Sequence, residues 1–273
     1  MKISVFGSGG FIGSHFCELY PEIAVPIPKN EYDVLGDNTL YLISTTHNYE
    51  SWLVNINTNI MELWKHLCVH VHKDNVFNFV SSWFVYGDVE LPATERTQPN
   101  PKGGNYNLTK LWAEQMVQDY CREHDIPYRI FRLANVFGKG DKFSEKKNAL
   151  QYLINEMKHD RDIYLYNGGM FFRDYIHVDT VCKALKQGME KLPVNEIYNI
   201  GSGRPVLFGD MIRLAHEVLE SKSKIMEMET PEFHDRIQVK DFWMSTEKIC
   251  SHGICTPSYP FRDLVRMLND EYL

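Results

Sequence analysis

Short apolar runs and longer amphipathic stretches follow one another along this chain. Buried strands are predicted at the apolar runs, which are residues 3–6, 23–28, 39–44, 75–80 and 128–133. Between these runs, apolar positions recur at helical spacing over residues 12–19, over residues 54–67 and from Tyr106 onwards. Strands that alternate with helices indicate an α/β fold, in which helices cover both faces of a parallel sheet.

Composition restricts the class of protein. The chain has 273 residues, of which 44% are hydrophobic, so it can bury a large core. Its formal charge is −7 and it has no basic block, so a nucleic-acid partner is not expected. No apolar run approaches the roughly 18 residues of a membrane span. Because Met1 leads directly into a strand and not into a signal peptide, we expect a cytoplasmic protein without a membrane partner.

A glycine-rich turn joins the first strand to the first helix. Gly7, Gly10 and Gly13 have the spacing G-x-x-G-x-x-G, and Phe11 and Ile12 open the helical pattern. Glycines let the backbone turn tightly and approach a pyrophosphate, which then lies at the helix amino end. The turn therefore predicts a dinucleotide site, and the alternative is a glycine turn that binds nothing.

Two further positions bear on the dinucleotide. An acidic residue at the tip of the second strand normally binds the adenosine ribose, whereas a cation accommodates a 2′-phosphate. Lys29 lies nearest this tip and Glu31 just beyond it, which favours NADP over NAD, although Lys29 could equally be a solvated surface charge. Ser44 ends the strand predicted at 39–44, and ligands of open parallel sheets bind at the carboxyl ends of the strands.

Tyr106 and Lys110 are the candidate proton-transfer pair. Residues four apart share one face of a helix, and a neighbouring ammonium lowers the phenol pKa from about 10. Ser82 follows a central strand and could donate a hydrogen bond to a substrate carbonyl oxygen opposite the tyrosine. The alternatives are an exposed helix face for the pair and a strand-end cap for Ser82.

No metal site is predicted. His66, His70 and His72 lack an acidic or cysteine partner at a matching spacing, so we interpret them as surface histidines. The cysteines are expected to be reduced core residues; they are Cys17, Cys68, Cys121, Cys182, Cys250 and Cys255.

With these motifs in order, nearly the whole chain resembles the extended short-chain dehydrogenase/reductase family of nucleotide-sugar epimerases, dehydratases and 4-ketoreductases. The glycine turn resembles the family's dinucleotide loop, and Val54-Asn55-Ile56 resembles its helix-opening asparagine segment, so Asn55 joins the expected cofactor site. Residues 81–87 resemble the Ser-Ser-x-x-Val-Tyr-Gly block, which places Ser82 at the catalytic Ser/Thr position. Tyr106 and Lys110 match the catalytic pair, and in the family both also contact the cofactor.

The resemblance also implies a nucleoside-diphosphate sugar substrate and a homodimer. Substrate contacts are expected from Trp83 and Asn135, from Asn148 and Arg173 at the phosphates, and more loosely from Arg236. An arginine suits phosphate because its planar fork can pair with two oxygens at once.

Two departures from the family pattern change the expectation. The 4,6-dehydratases place an acidic pair directly after the catalytic Ser/Thr, whereas this chain has Trp83 and Phe84, which cannot transfer protons. A 4,6-dehydratase is therefore not expected. The stretch between the second strand and Thr39 is short, so one helix of the usual fold should be reduced or absent.

The expected architecture is a Rossmann-like doubly wound parallel sheet with a small C-terminal α/β substrate-capping lobe. The sheet domain would cover residues 1–140 with a returning segment near 171–203, and the lobe would comprise residues 141–170 and 204–273. The expected activity is hydride transfer at C4 of a nucleoside-diphosphate hexose. Lys29 favours a 4-ketoreductase and residues 173–178 favour a 4-epimerase, so both stay open. A catalytically silent dinucleotide sensor or scaffold is the alternative.

Overall fold

A computed structural model describes residues 1–45, 50–70, 74–140, 149–232 and 239–256. The strands in chain order are β1 (Ile3–Phe6), β2 (Ala24–Ile27), β3 (Asn38–Tyr41), β4 (Val76–Ser82), β5 (Tyr128–Leu133), β6 (Asn135–Phe137), β7 (Ile163–Tyr166), β8 (Phe172–Arg173), β9 (Tyr175–His177), β10 (Glu196–Ile200), β11 (Val206–Leu207) and β12 (Ile225–Met228). The helices are α1 (Phe11–Leu19), α2 (Trp52–Ile56), α3 (Glu62–His70), α4 (Asn105–Glu123), α5 (Ala149–Lys158), α6 (Val178–Lys191), α7 (Phe208–Val218) and α8 (Glu247–Ser251). A π-helical turn, Asn57–Met61, joins α2 to α3.

The central sheet is parallel, as predicted, with the strand order β2-β1-β3-β4-β5-β10. Its strands are almost entirely buried because helices cover both faces. One apolar cluster joins the sheet to α1 and α6, and the other joins it to α3 and α4. The predicted returning strand is β10, which pairs with β5.

The connection between β2 and β3 contains no helix, which confirms the expected reduction. In the usual doubly wound order a third strand lies beyond the second. Here the sheet ends at β2, and residues 28–37 cross past β1 directly into β3. The Leu35 N–H donates to Ser4 Oγ at 2.8 Å, which ties this connection to β1. The adenosine side of the sheet is therefore one strand narrower than usual.

A third apolar cluster is built mainly by α5, α7 and their neighbouring strands. Three small two-stranded sheets support it: β7 pairs with β12, β8 with β11 and β6 with β9. Residues 141–148, at the predicted boundary between the sheet domain and the capping lobe, lie outside the described residues. The boundary stays a prediction.

The prediction that His66 is a surface histidine was wrong. His66 is only 1% exposed and lies 3.5 Å from the Glu62 carboxylate. Its ring centroid is 4.5 Å from Phe6, 4.7 Å from Tyr32 and 5.1 Å from Tyr41. The reason is helical phase, because His66 shares the sheet-facing side of α3 with the buried leucines on either side of it. The side chains of His70 and His72 lie outside the described residues.

The cysteine prediction was right in part. All six thiols are free, and Cys121 and Cys182 are buried. Cys68 and Cys255 are exposed, so these two are not core residues; Cys68 lies on the outward face of α3. Among the described residues no cluster of His, Cys, Asp and Glu has the geometry of a metal site, and no described helix is long and apolar enough to cross a membrane.

Candidate active site

The glycine turn forms a cradle at the carboxyl end of β1. Gly7 has a φ of +85°, and the Gly10 N–H donates to its carbonyl oxygen at 3.0 Å. A Cβ on Gly13 would lie 2.2 Å from that same oxygen, so only glycine lets α1 pack this closely on the turn. No side chain caps the start of α1, where Phe11 and Ile12 are half-buried. Its first N–H groups are therefore oriented for an anion, which is the arrangement that a dinucleotide pyrophosphate requires.

Lys29 lies two residues beyond β2, in a turn closed by the Glu31 N–H and the Pro28 carbonyl. Its side chain is exposed. This is the place where a cation could meet an adenosine 2′-phosphate.

Three hydroxyl groups meet at the carboxyl edge of the central sheet: those of Ser44, Ser82 and Tyr106. Ser82 is the last residue of β4, and Tyr106 lies in the first turn of α4. Hydrogen bonds join the Tyr106 phenol to the side chains of Ser82 and Ser44. Burial raises the pKa of Tyr106 above its ordinary value, and these two hydrogen bonds oppose that rise. The tyrosine therefore holds its proton and keeps it in contact with two hydroxyl groups.

Lys110 lies one helical turn beyond Tyr106 and is 2% exposed. Its ammonium donates to the Val80 carbonyl oxygen at 2.8 Å and lies 4.3 Å from the centre of the Phe79 ring. Burial lowers the pKa of Lys110 to about 7, and the carboxylate of Glu114 opposes this. Its charge is thus sensitive to pH in the neutral range.

A polar network that sequence analysis missed holds residues 42–45, here called the Ser44 loop, against α4. Asn59 Oδ1 accepts hydrogen bonds from Ser44 Oγ at 3.2 Å and from the Thr45 N–H at 3.0 Å. Its Nδ2 donates to Thr109 Oγ1 at 3.0 Å, and Thr45 Oγ1 donates to Asn55 Oδ1 at 2.5 Å. Asn55, predicted as a cofactor residue, is completely buried within this network. Its side chain therefore orders the loop that carries Ser44.

An aromatic column forms one wall of the site. Phe84 stacks on Trp83 with the ring centroids 4.0 Å apart, and Trp83 stacks on Phe242 at 4.6 Å. The Phe84 ring is perpendicular to the Tyr106 ring at a centroid distance of 5.7 Å. Phe242 comes from the C-terminal part of the chain, where no sequence pattern marked it as part of the site.

Arg173 lies beside this column, and Asn135 is hydrogen-bonded to the backbone of the neighbouring Asp174. The Arg173 guanidinium donates to the carbonyl oxygens of Phe172, Lys240 and Val239, and its carbon lies 5.4 Å from the centre of the Trp83 ring. Burial lowers the pKa of Arg173 to about 10. The backbone N–H and the side chain of Asn135 both donate to the Asp174 carbonyl oxygen. Asn148 and Arg236 lie outside the described residues.

A glycine turn at the amino end of α1, which follows the first strand of a parallel sheet, is the arrangement of the dinucleotide-binding α/β proteins. The chain belongs to the NAD dependent epimerase/dehydratase family, whose model matches residues 43–201. This confirms the family resemblance.

The relatives catalyse several related reactions. The dTDP-L-rhamnose 4-epimerase of Burkholderia thailandensis is 28% identical over 49% of this chain and 38% of its own length. A low-salt glycan biosynthesis protein of Haloferax volcanii, Agl12, is 28% identical over 54% of this chain and 44% of its own length. The chain thus spans less than half of these two relatives. The dTDP-D-glucose 4,6-dehydratase of Homo sapiens is 24% identical over 99% of this chain and 89% of its own length.

Solved structures share the fold. The UDP-glucose 4-epimerase of Thermotoga maritima superimposes with a TM-score of 0.88 at 20% identity, over 100% of this chain and 98% of its own. RMD from Pseudomonas aeruginosa, solved with NADPH, has a TM-score of 0.84 at 19% identity, over 99% and 97% of the two chains. These likenesses confirm the Rossmann-like architecture.

Proposed function

We propose that this protein transfers hydride at C4 of a nucleoside-diphosphate hexose, as a 4-ketoreductase or a 4-epimerase. The observation that carries the proposal is the contact of the Tyr106 phenol with Ser82 and Ser44, at the strand ends next to the glycine turn. Relatives named as a 4-epimerase and as a reductase support the same chemistry.

The three residues Ser82, Tyr106 and Lys110 would have distinct roles. Tyr106 would exchange the proton on the C4 oxygen, and Ser82 would donate a hydrogen bond to that oxygen. Lys110 would favour the phenolate by its positive charge and would hold the nicotinamide ribose. The bound nicotinamide supplies or accepts the hydride. The Ser44 hydroxyl donates its proton to Asn59 Oδ1 or to the Thr45 carbonyl oxygen. Its oxygen can therefore accept a hydrogen bond from the Tyr106 phenol.

Elimination of water does not fit this site. A 4,6-dehydratase needs an acid and a base beside the tyrosine, and the residues next to Ser82 are Trp83 and Phe84. Their rings stack on each other and carry no carboxylate. The dehydratases among the relatives therefore share the fold and the hydride step with this chain, and we propose that they do not share its product.

The substrate contacts that we propose are Trp83 at the sugar, Asn135 beside it, and Asn148, Arg173 and Arg236 at the phosphates. Because Trp83 is 3% exposed, it would act on the sugar mainly through the Phe84 ring that stacks on it. Asn135 is half-buried near Asp174, which is compatible with a contact to bound substrate. Three backbone carbonyls already accept from Arg173. A phosphate would therefore compete with these carbonyls for the same guanidinium.

The cofactor that we propose is NADP, on the position of Lys29 beyond β2, with NAD as the alternative. The choice bears on the reaction, since a ketoreductase exchanges its cofactor in each cycle and an epimerase keeps it. Mass spectrometry of the small molecules released from the purified protein separates the two. Stoichiometric NAD would indicate an epimerase, whereas empty protein that binds NADPH more tightly than NADH would indicate a ketoreductase.

We also propose a homodimer. Large apolar side chains on α2, the π-helical turn, α3 and α4 are 36% to 69% exposed; they are Trp52, Leu53, Ile56, Met61, Trp64 and Trp112, here called the apolar helix face. Trp52 and Trp112 lie with their ring centroids 6.2 Å apart, so the two helical segments form one surface. An apolar surface of this kind supports burial against a second copy.

Replacing Tyr106 by phenylalanine tests the catalytic proposal. Because the phenol moves the proton, turnover of the sugar nucleotide should fall at least about 100-fold, while dinucleotide affinity stays within a few-fold of the wild type. Tyr164→Phe is a matched control, because Tyr164 is 55% exposed on β7. Dinucleotide binding without turnover in the wild type as well would indicate the silent sensor instead.

A further inference from the structure

The Phe84 ring is held in a fixed position next to the reacting groups. The Phe84 N–H donates to Ser82 Oγ at 3.4 Å, so the turn that carries this ring is attached to the proposed catalytic serine. The ring stacks on Trp83, which is 3% exposed and stacks in turn on the completely buried Phe242. Phe84 itself is only half-buried. It is thus the accessible end of a rigid aromatic column.

A sugar bound for the proposed reaction must come close to this ring. Its reacting oxygen has to lie within hydrogen-bond distance of both Tyr106 and Ser82. The Phe84 ring is perpendicular to the Tyr106 ring, with the ring centroids 5.7 Å apart, and Phe84 lies two residues after Ser82 in the chain. A substituent on a carbon next to the reacting carbon therefore faces the aromatic column.

The chemistry of the column decides which substituent fits. Phe84 and Phe242 offer no hydrogen-bond donor or acceptor, and the one indole N–H of the column belongs to Trp83, which is only 3% exposed. The hydroxyl of Tyr86, further along the column, already donates to Asn199 Oδ1 at 2.6 Å. A hydroxyl or carboxylate placed against these rings would lose its hydrogen bonds to water without replacement. A methyl group in the same place would gain from the contact.

We propose that the substrate is a 6-deoxyhexose nucleotide, with its C6 methyl group packed on the Phe84 ring. This deepens the proposed function and rests on it, because it assumes reaction at C4. C4 has two carbon neighbours in the sugar ring. C3 carries a hydroxyl group, which is polar, whereas C5 carries C6, which is a methyl group in a 6-deoxy sugar. We therefore assign the C5–C6 side of the sugar to Phe84. Phe84 is then a specificity-determining residue of the site.

Matched pairs of sugar nucleotides test this inference. The dTDP and UDP esters of glucose and of galactose would each be compared with their 6-deoxy counterparts. Turnover is followed by absorbance of the reduced nicotinamide or by chromatography of the epimers. We expect kcat/KM to be about 10- to 100-fold higher for the 6-deoxy member, which is the discrimination that an apolar pocket achieves against an added hydroxyl group. Turnover of both members of a pair with equal kcat/KM would overturn the inference and leave the proposed function standing. If the protein neither binds nor turns over any of these sugar nucleotides, both this inference and the proposed function are overturned.

Two variants of similar shape locate the preference in the ring. Phe84→Gln provides a donor and an acceptor, and we expect it to reduce the preference for the 6-deoxy member at least fivefold. Phe84→Met is apolar and of similar length, so it should keep the preference within about threefold of the wild type. Equal preference ratios in the two variants would refute the role of Phe84. If Phe84→Gln does not fold, the wild-type ratio and the Phe84→Met ratio still decide, because loss of preference in Phe84→Met contradicts an apolar contact.

Discussion

At the scale of single residues, Lys110 is the side chain whose burial most clearly opposes stability. The ammonium lies in the core with one carbonyl oxygen and one aromatic ring as its partners. Desolvation lowers its pKa to about 7, far below the value of about 10.4 for a lysine in an unfolded chain. An apolar side chain would fill the same volume at less free energy, which supports the proposed chemical role of Lys110.

Lys110→Met should therefore stabilise the fold while it abolishes turnover. Between pH 7 and pH 10 the unfolded wild-type chain binds a proton at this lysine that the folded chain has lost, so wild-type stability rises with pH through this window. We expect Lys110→Met to be about 1 to 4 kcal/mol more stable at pH 6, and we expect this difference to shrink by pH 10. Chemical denaturation at several pH values measures it. The control is Lys183→Met, an exposed position on α6, and an equal gain there would contradict the explanation.

At the scale of elements, the π-helical turn between α2 and α3 positions the loop that carries Ser44. It places the Asn59 carboxamide, 3% exposed, between the Ser44 loop and Thr109 of α4. Such turns are rare and occur frequently at functional sites. The sequence pattern predicts one helix over 54–67, and it contains no signal for a widened turn. The prediction also continued strand β3 to Ser44, whereas the strand ends at Tyr41 and residues 42–45 leave the sheet to reach Asn59.

Asn59→Ala tests the link between this turn and the site. Removing the carboxamide leaves buried polar groups of Thr45 and Thr109 without this partner, which should cost about 2 kcal/mol of unfolding free energy. Turnover should also fall, because Ser44 would lose the bond that orients it. Asn57→Ala is the matched control, because Asn57 opens the same turn with an exposed side chain. Equal losses of stability and turnover in both variants would mean that the Asn59 carboxamide has no specific role in positioning Ser44.

At the scale of the whole molecule, the apolar helix face is the strongest indication of assembly. Its residues lie on the same helical layer as Tyr106 and Lys110. A second copy of the chain would therefore pack against the outer face of α4. We expect the wild type to sediment as a dimer and Trp112→Asp to sediment as a monomer at the same concentration, because a carboxylate in an apolar contact is desolvated without a partner. Met170→Asp, at a 58% exposed residue outside this face, should stay dimeric. A wild type that sediments as a monomer would refute the homodimer.

The sequence by itself determined the parallel sheet, the glycine turn and the placement of Tyr106 and Lys110 one helical turn apart. These depend on local spacing: strand and helix periods, three glycines at fixed intervals, and two side chains one helical turn apart. The absence of the helix after β2 was also predictable, since residues 28–37 are too few to form one and return to the sheet. Tertiary structure alone decided the burial of His66, the contact of Ser44 with Tyr106 and the stacking of Phe242 on Trp83. Each of these contacts joins residues that are far apart in the chain. Such contacts depend on how the helices and loops pack on the sheet.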